Sequence, residues 1–253
     1  MTRRLVAADV LKLVRRRGQM CWALVLTVAP ILIGYAVTAG YHLSDAARYD
    51  AAGGTRNLEN ALFLMLMLGG VAAAVLGTSA GIGDETSGVF RELVVTGRSR
   101  LALFGARPPA ALIVFLPMVL TAFGLAVACT FLLADGTPTP SAGTVALDAV
   151  WVLAIASVQL LFAIGLAAVV GSRATAVGVL VAWQLAVSPL LLSVDQLGIV
   201  RELVPRAAEL RLEPVAGEPL GFGMSAVTAV AVLILWTAVL LGAGARRTVR
   251  RDA

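Results

Sequence analysis

The sequence predicts an all-α integral membrane protein of six transmembrane helices, and three observations predict it. Of the 253 residues, 59% are apolar and only 14% charged, with a mean hydropathy of +0.91. A soluble domain carries about 25% charged residues, so a water-facing surface cannot be assembled from this set. The charges fall in clumps separated by gaps as long as a membrane span, and the basic residues collect in alternate clumps. Collagenous, disulfide-rich and disordered classes are excluded as well: the 25 glycines have no period, there are 2 cysteines, and the apolar content is too high.

Uncharged runs cover Gly18–Ser44, Asn60–Gly83, Pro108–Ala134, Ala149–Ser172, Ala174–Val194 and Pro219–Ala245, each of at least 21 residues. A transmembrane helix needs about 20, and a buried strand only about four to eight. The spans are therefore placed at about 20–41, 60–82, 108–134, 149–171, 174–194 and 221–245, in a single domain over 1–253. Only Arg173 separates the fourth from the fifth. An arginine at mid-bilayer costs about 2.5–3.5 kcal/mol even on the gentlest scale, so Gly171–Ala174 is read as a tight turn that keeps this charge in water.

Ahead of the first span, Val6, Val10, Leu13 and Val14 share a helical face with Ala7 and Leu11, while Arg4, Lys12, Arg15 and Arg16 take the other and Leu5 is a misfit. This is the pattern of a helix lying in the headgroup layer; a basic flank that only sets topology is the alternative. A secretory or twin-arginine signal starting at Arg3-Arg4 fits less well, because the apolar run is too long for a signal core. The loops on the side of the N-terminus hold fifteen of the twenty basic residues and five of the fifteen acids. The positive-inside rule then puts both termini in the cytoplasm. The high pI reflects that topology and contact with anionic lipid, and nucleic acid is not an expected partner. Cys21 and Cys129 are expected in opposite leaflets, without a disulfide, and His42, the only histidine, has no partners for a metal site.

Chemistry on this chain is limited. Lys12 is the single lysine and follows Leu11, so a Gly-Lys-Ser/Thr phosphate loop is absent. One histidine leaves no Ser-His-Asp set. No acid or base falls inside the expected spans, which argues against a proton- or ion-coupled carrier. A transporter of this kind takes its energy from another polypeptide, and the loop after the second span is where that polypeptide would dock. Asp84 or Ser87 can cap a short helix; Val89, Phe90, Leu93 and Val94 share its apolar side, Gly97 ends it, and Arg98, Arg100 and Arg107 lead back to the membrane. An exposed apolar peg of this sort fits a groove in a soluble partner. A loop resting on lipid is the alternative.

With these residues in place the chain resembles the membrane subunits of ATP-binding-cassette exporters of the type-2 class. After their second span these carry Glu, two or three residues, Gly-Thr, several residues, Thr/Ser-Pro-x-Ser-Arg and a downstream Lys. Glu85 and Gly88 match the first part, Thr96, Ser99 and Arg100 the second, and Arg107 stands where the Lys usually is; Val89 replaces the Thr and Gly97 the Pro. The resemblance implies an N-terminal amphipathic elbow helix, a cytosolic coupling helix between helices 2 and 3 built on Glu85, Gly88, Val89, Phe90, Leu93, Thr96, Ser99, Arg100 and Arg107, and a re-entrant helical loop between helices 5 and 6. It also implies a permease with no catalysis or cofactor of its own, two cytosolic ATPase subunits holding ATP and Mg, and a second permease subunit, either a copy of this chain or a related one. The loop between helices 5 and 6 fits: Gln196–Val204 is apolar at Leu197, Val200, Leu203 and Val204, and Pro205 can open a second helix, Arg206–Arg211. A plain amphipathic surface loop is the alternative.

Small residues recur every fourth position at Ala73, Gly77 and Gly81, at Ala163, Ala167 and Gly171, and at Ala174, Gly178, Ala182 and Ala186, a spacing that lets helices approach closely. Thr78, Gln159 and Gln184 are the deepest polar groups and candidates to line a path; hydrogen bonds between helices are the alternative. The expected function is export of an amphipathic or hydrophobic substrate across the cell membrane. A multi-pass protein not driven by ATP, either a small carrier or a structural or immunity-type interaction protein, is the competing class.

Overall fold

The computed structural model describes residues 2–86, 97, 99–214 and 223–250. Among them every regular element is helical. Helix α1 spans Thr2–Arg15, α2 Arg17–Ser44, α3 Thr55–Thr86, α4 Arg100–Leu132 and α5 Ala142–Val170. Helix α6 runs over Arg173–Ser193 with a π-helical turn at Trp183–Val187. A 3₁₀ segment, Asp195–Leu203, is broken at Gly198 (φ 51°, ψ −129°) and leads into α7, Pro205–Arg211; α8 covers Ala226–Arg250. Six of these helices are long and apolar enough to cross a membrane: α2, α3 through Gly83, α4, α5, α6 and α8.

Local sequence explains the boundaries. Ser99 Oγ accepts the amide of Ala102 at 3.2 Å and Ser141 Oγ that of Thr144 at 3.1 Å, so each serine caps the helix it precedes. The caps start α4 and α5 about two turns before the apolar runs begin. Helix α5 ends at Gly171 in the left-handed region (φ 74°), and Ser172 caps α6, so the division around Arg173 falls at the turn the charge requires. Arg107 and Asp148 consequently lie inside helices α4 and α5, both buried. This corrects the expectation of charge-free spans: capping, not hydropathy, sets where these helices begin.

Helix α5 is the centre of the bundle, with α3, α4, α6 and α8 packed around it. The small-residue ladder of α3 meets that of α5. A Cβ on Gly77 would stand 2.6 Å from Ala163 Cβ and 2.8 Å from the Leu160 carbonyl oxygen, and one on Gly81 would stand 2.7 Å from the Ile164 oxygen. Only a hydrogen fits, and the backbones touch as a result. The ladder of α6 behaves differently: Ala174, Gly178, Ala182 and Ala186 are exposed, and a Cβ on Gly178 meets nothing within 4 Å. Helix α1 packs on α4. It buries Leu13 and half-buries Leu5, Val6 and Val10, while Leu11 and Val14 stay exposed. The expected apolar face is thus split between the protein and its surroundings, with Leu5 on the protein side.

Candidate functional site

Two of the three deep polar residues converge. Gln159 lies on the face of α5 that carries Trp151, Val152 and Ile155, and it points at α3 and α7. The π-helical turn shifts the register of α6 and presents Gln184 to the same place; such turns are frequent at functional sites. Gln159 Nε2 is 3.4 Å from the Leu66 carbonyl oxygen, and Gln184 Nε2 donates to that oxygen at 3.1 Å. Gly70, one turn along α3, leaves room for both amides, since a Cβ there would lie 3.1 Å from Gln159 Oε1 and 3.2 Å from Gln184 Nε2. Thr78 does not join them. Its hydroxyl donates to Val75 of its own helix at 3.3 Å, two turns further along α3.

The broken segment supplies the other wall. Helix α7 is buried at Pro205, Arg206, Ala207, Ala208 and Glu209. Gln159 Nε2 lies 3.4 Å from both carboxylate oxygens of Glu209, and Arg206 Nη1 donates to Glu209 Oε2 at 3.4 Å. Trp151 Nε1 donates to the Glu209 carbonyl oxygen at 3.1 Å, Trp236 Nε1 to that of Leu203 at 3.0 Å, and Arg211 Nε to that of Met224 at 2.9 Å. These three bonds fasten the segment to α5, to α8 and to the stretch just before α8. A cavity of about 30 Å³ remains between Gly70, Gln159, Gln184, Arg206 and Glu209, enough for one or two waters.

Burial dominates the electrostatics. It pushes the Glu209 carboxyl up to about 7, with Arg206 and Gln159 pulling the other way. It also brings Arg206 below its ordinary range, against the favourable charge of Glu209 and Glu213. Arg206 and Glu209 are held against each other, with Gln159 as the second partner of the carboxylate, and together they give the cavity a polar wall.

Of the coupling set, Gly88, Val89, Phe90, Leu93 and Thr96 lie outside the described residues, as does the side chain of Glu85. Gly97, where the sequence ends that helix, has φ 79°. Ser99 is the cap of α4, Arg100 Nη1 donates to the Val249 carbonyl oxygen at 3.0 Å, and buried Arg107 donates to the Gly81 carbonyl oxygen and lies over the Phe104 ring at 5.7 Å. These three residues join the ends of α3, α4 and α8. Sequence reasoning missed Asp148, Arg206 and Glu209. For Asp148 a signal existed: Ser141 followed by Thr144 marks a helix start that places Asp148 on the face of Trp151 and Ile155. For α7 there was none: three charges in seven residues, Arg206, Glu209 and Arg211, carry no local mark of burial. No family model and no curated protein matches the chain.

Proposed function

We propose that the chain is a permease subunit of an ATP-driven exporter in the cell membrane, with both termini cytoplasmic. The observation that carries this reading is the broken segment 195–211 seated on the Gln159–Gln184 pocket. Leu66 and Gly70 are the twelfth and sixteenth residues of α3, so α7 reaches about 17–22 Å along that helix at 1.5 Å per residue. A kinked segment of this kind, fastened by side-chain bonds to backbone and lining a polar pocket, fits a re-entrant plug over a polar path. Helix α1, packed near Gly83 and Arg107 at the other end of α3, is the elbow at the inner leaflet, with Leu11 and Val14 facing lipid. The exposed small-residue ladder of α6 is the face for a second permease subunit. Two ATPase subunits, holding ATP and Mg, dock on the segment between α3 and α4, and an amphipathic or hydrophobic substrate passes between the permease halves.

A small carrier driven by an ion gradient is the second reading, and buried Asp148 and Glu209 favour it, because carboxylates inside a bundle are the usual ion relays. Purification of the tagged chain from its native membrane separates the two. The exporter reading expects a stoichiometric ATPase in the eluate and ATP-dependent transport by the complex. Transport by the chain alone in liposomes under a proton or sodium gradient establishes the carrier instead.

A further inference from the structure

Asp148 has no relative exposure at all, and neither of its carboxylate oxygens has a hydrogen-bond partner. An ionised carboxylate in that position is costly unless a cation or donor meets it. None of the described side chains does so. Arg206, the buried cation of the neighbouring segment, is engaged by Glu209 at 3.4 Å. What lies around Asp148 is more negative charge. Glu59, in the second turn of α3, is close enough to act on it electrostatically. Glu213, just past α7, feels Arg206 first and then both Glu59 and Asp148, so it ties the acids to the nearby cation, which Glu209 already engages. Glu59 and Glu213 are half-buried, so they form a rim that leads from solvent to the buried acid.

We infer that Asp148, with Glu59 and Glu213 at its mouth, is the binding site for the ammonium or guanidinium group of an organic cation at the end of the bundle where α3 and α5 begin. The absence of a tight ligand cluster selects this class over a metal ion. Among the described residues no three Asp, Glu, His or Cys side chains converge tightly enough to hold a metal, and a bare ion needs all its ligands within about 2.6 Å. An alkylammonium carries three N–H donors and a guanidinium five, spread over a larger volume, so either can satisfy carboxylates that stand apart. Trp151 follows Asp148 by one turn on the same face of α5 and offers an aromatic surface for the carbon skeleton. As a statement of substrate class, a cationic amphipath, the inference rests on the transport reading above; as a binding site it does not.

The test uses the purified full-length chain in mild detergent, followed by tryptophan fluorescence during thermal unfolding. Phenethylamine and agmatine are the probes, with uncharged 2-phenylethanol, NaCl and CaCl₂ as controls. The site predicts a dose-dependent rise in Tm, about 3 °C at ten times Kd, for both amines and for none of the controls. Asp148→Asn is the deciding variant, because it removes an unpaired buried charge rather than a packed contact. It should raise the Tm of the unliganded chain and abolish the amine response. Glu59→Gln and Glu213→Gln should each weaken the response at least about threefold in Kd, through lost attraction at the rim. No amine shift in the wild type, an equal shift with 2-phenylethanol or the salts, or a shift that survives Asp148→Asn overturns the site. Amine binding without an ATPase partner leaves the site standing and removes the exporter reading. An ATPase partner without amine binding does the reverse.

Discussion

Gln159 Nε2 stands 3.4 Å from each carboxylate oxygen of Glu209, so one amide on the central helix serves the buried acid of α7. The same amide lies 3.4 Å from the Leu66 carbonyl oxygen on α3. Three elements distant in sequence therefore share one donor, and a change at any of them is felt by the others.

The acid of this trio makes stability depend on pH. Glu209 titrates near 4.5 when unfolded and at about 7 in the folded chain. Between those values the folded state holds a proton that the unfolded state has released, so stability falls as pH rises from 4.5 to about 7. Unfolding at pH 5 and pH 8 in the same detergent should give a higher Tm at pH 5. Glu209→Gln should flatten the difference while leaving the chain folded. A profile unchanged by Glu209→Gln means another group carries the pH dependence.

Gln159→Leu removes the shared donor without removing volume. With no amide to meet it, the Glu209 carboxylate loses one of its two described partners, and the expected loss is about 1–3 kcal/mol, read as a lower midpoint of unfolding. Thr78→Val, at a fully buried position whose hydroxyl bonds only to its own helix, should cost about 1 kcal/mol, less than Gln159→Leu.

The contact between α3 and α5 is the least tolerant part of the bundle. Gly77→Leu drives a side chain against the Leu160 carbonyl, where even a Cβ would sit 2.8 Å away. Loss of folded protein on size exclusion is expected, with a cost of at least about 3 kcal/mol, at the upper end for overpacking.

Gly178→Leu is the counterpart on α6. Its Cβ meets open space, so the single chain should fold as before. If the exposed ladder packs against a second subunit, the enlarged residue should weaken that association at least tenfold, seen as dissociation at lower concentration or loss of the crosslink of a Gly178-flanking cysteine pair. Unchanged association moves the subunit interface to another helix.

The 84–107 loop carries the prediction specific to the exporter reading. Phe90→Asp or Leu93→Asp should cost about 2 kcal/mol or more in ATPase affinity, roughly thirtyfold, with insertion unaffected. Pull-down at matched expression measures it, and equal recovery with transport intact removes the loop as the coupling element. A cysteine introduced at position 91 should label only from the cytoplasmic side.

Hydropathy alone determined the six long helices, because a span needs a run of about 20 apolar residues and nothing else in a polypeptide imitates that length. The turn at Gly171 and the small-residue ladders through Gly77 and Ala163 were also legible, since an isolated arginine and a four-residue spacing of small side chains are local patterns; that these two ladders meet each other was not. The polar site was only half legible. Gln159 and Gln184 stood out as deep polar residues, but periodicity within one helix cannot say which faces of two helices meet. Asp148 was assigned to a loop because the apolar run starts after it, whereas the Ser141 cap starts the helix before it. The helix of Arg206 and Glu209 was expected, as part of a re-entrant or a surface loop, but their burial required knowing that α7 lies against Trp151 and Gln159. Segments whose environment is lipid are written in composition, since the bilayer accepts one kind of side chain. Segments whose environment is the rest of the protein are decided by partners far away in the chain, and only the tertiary structure brings those partners together.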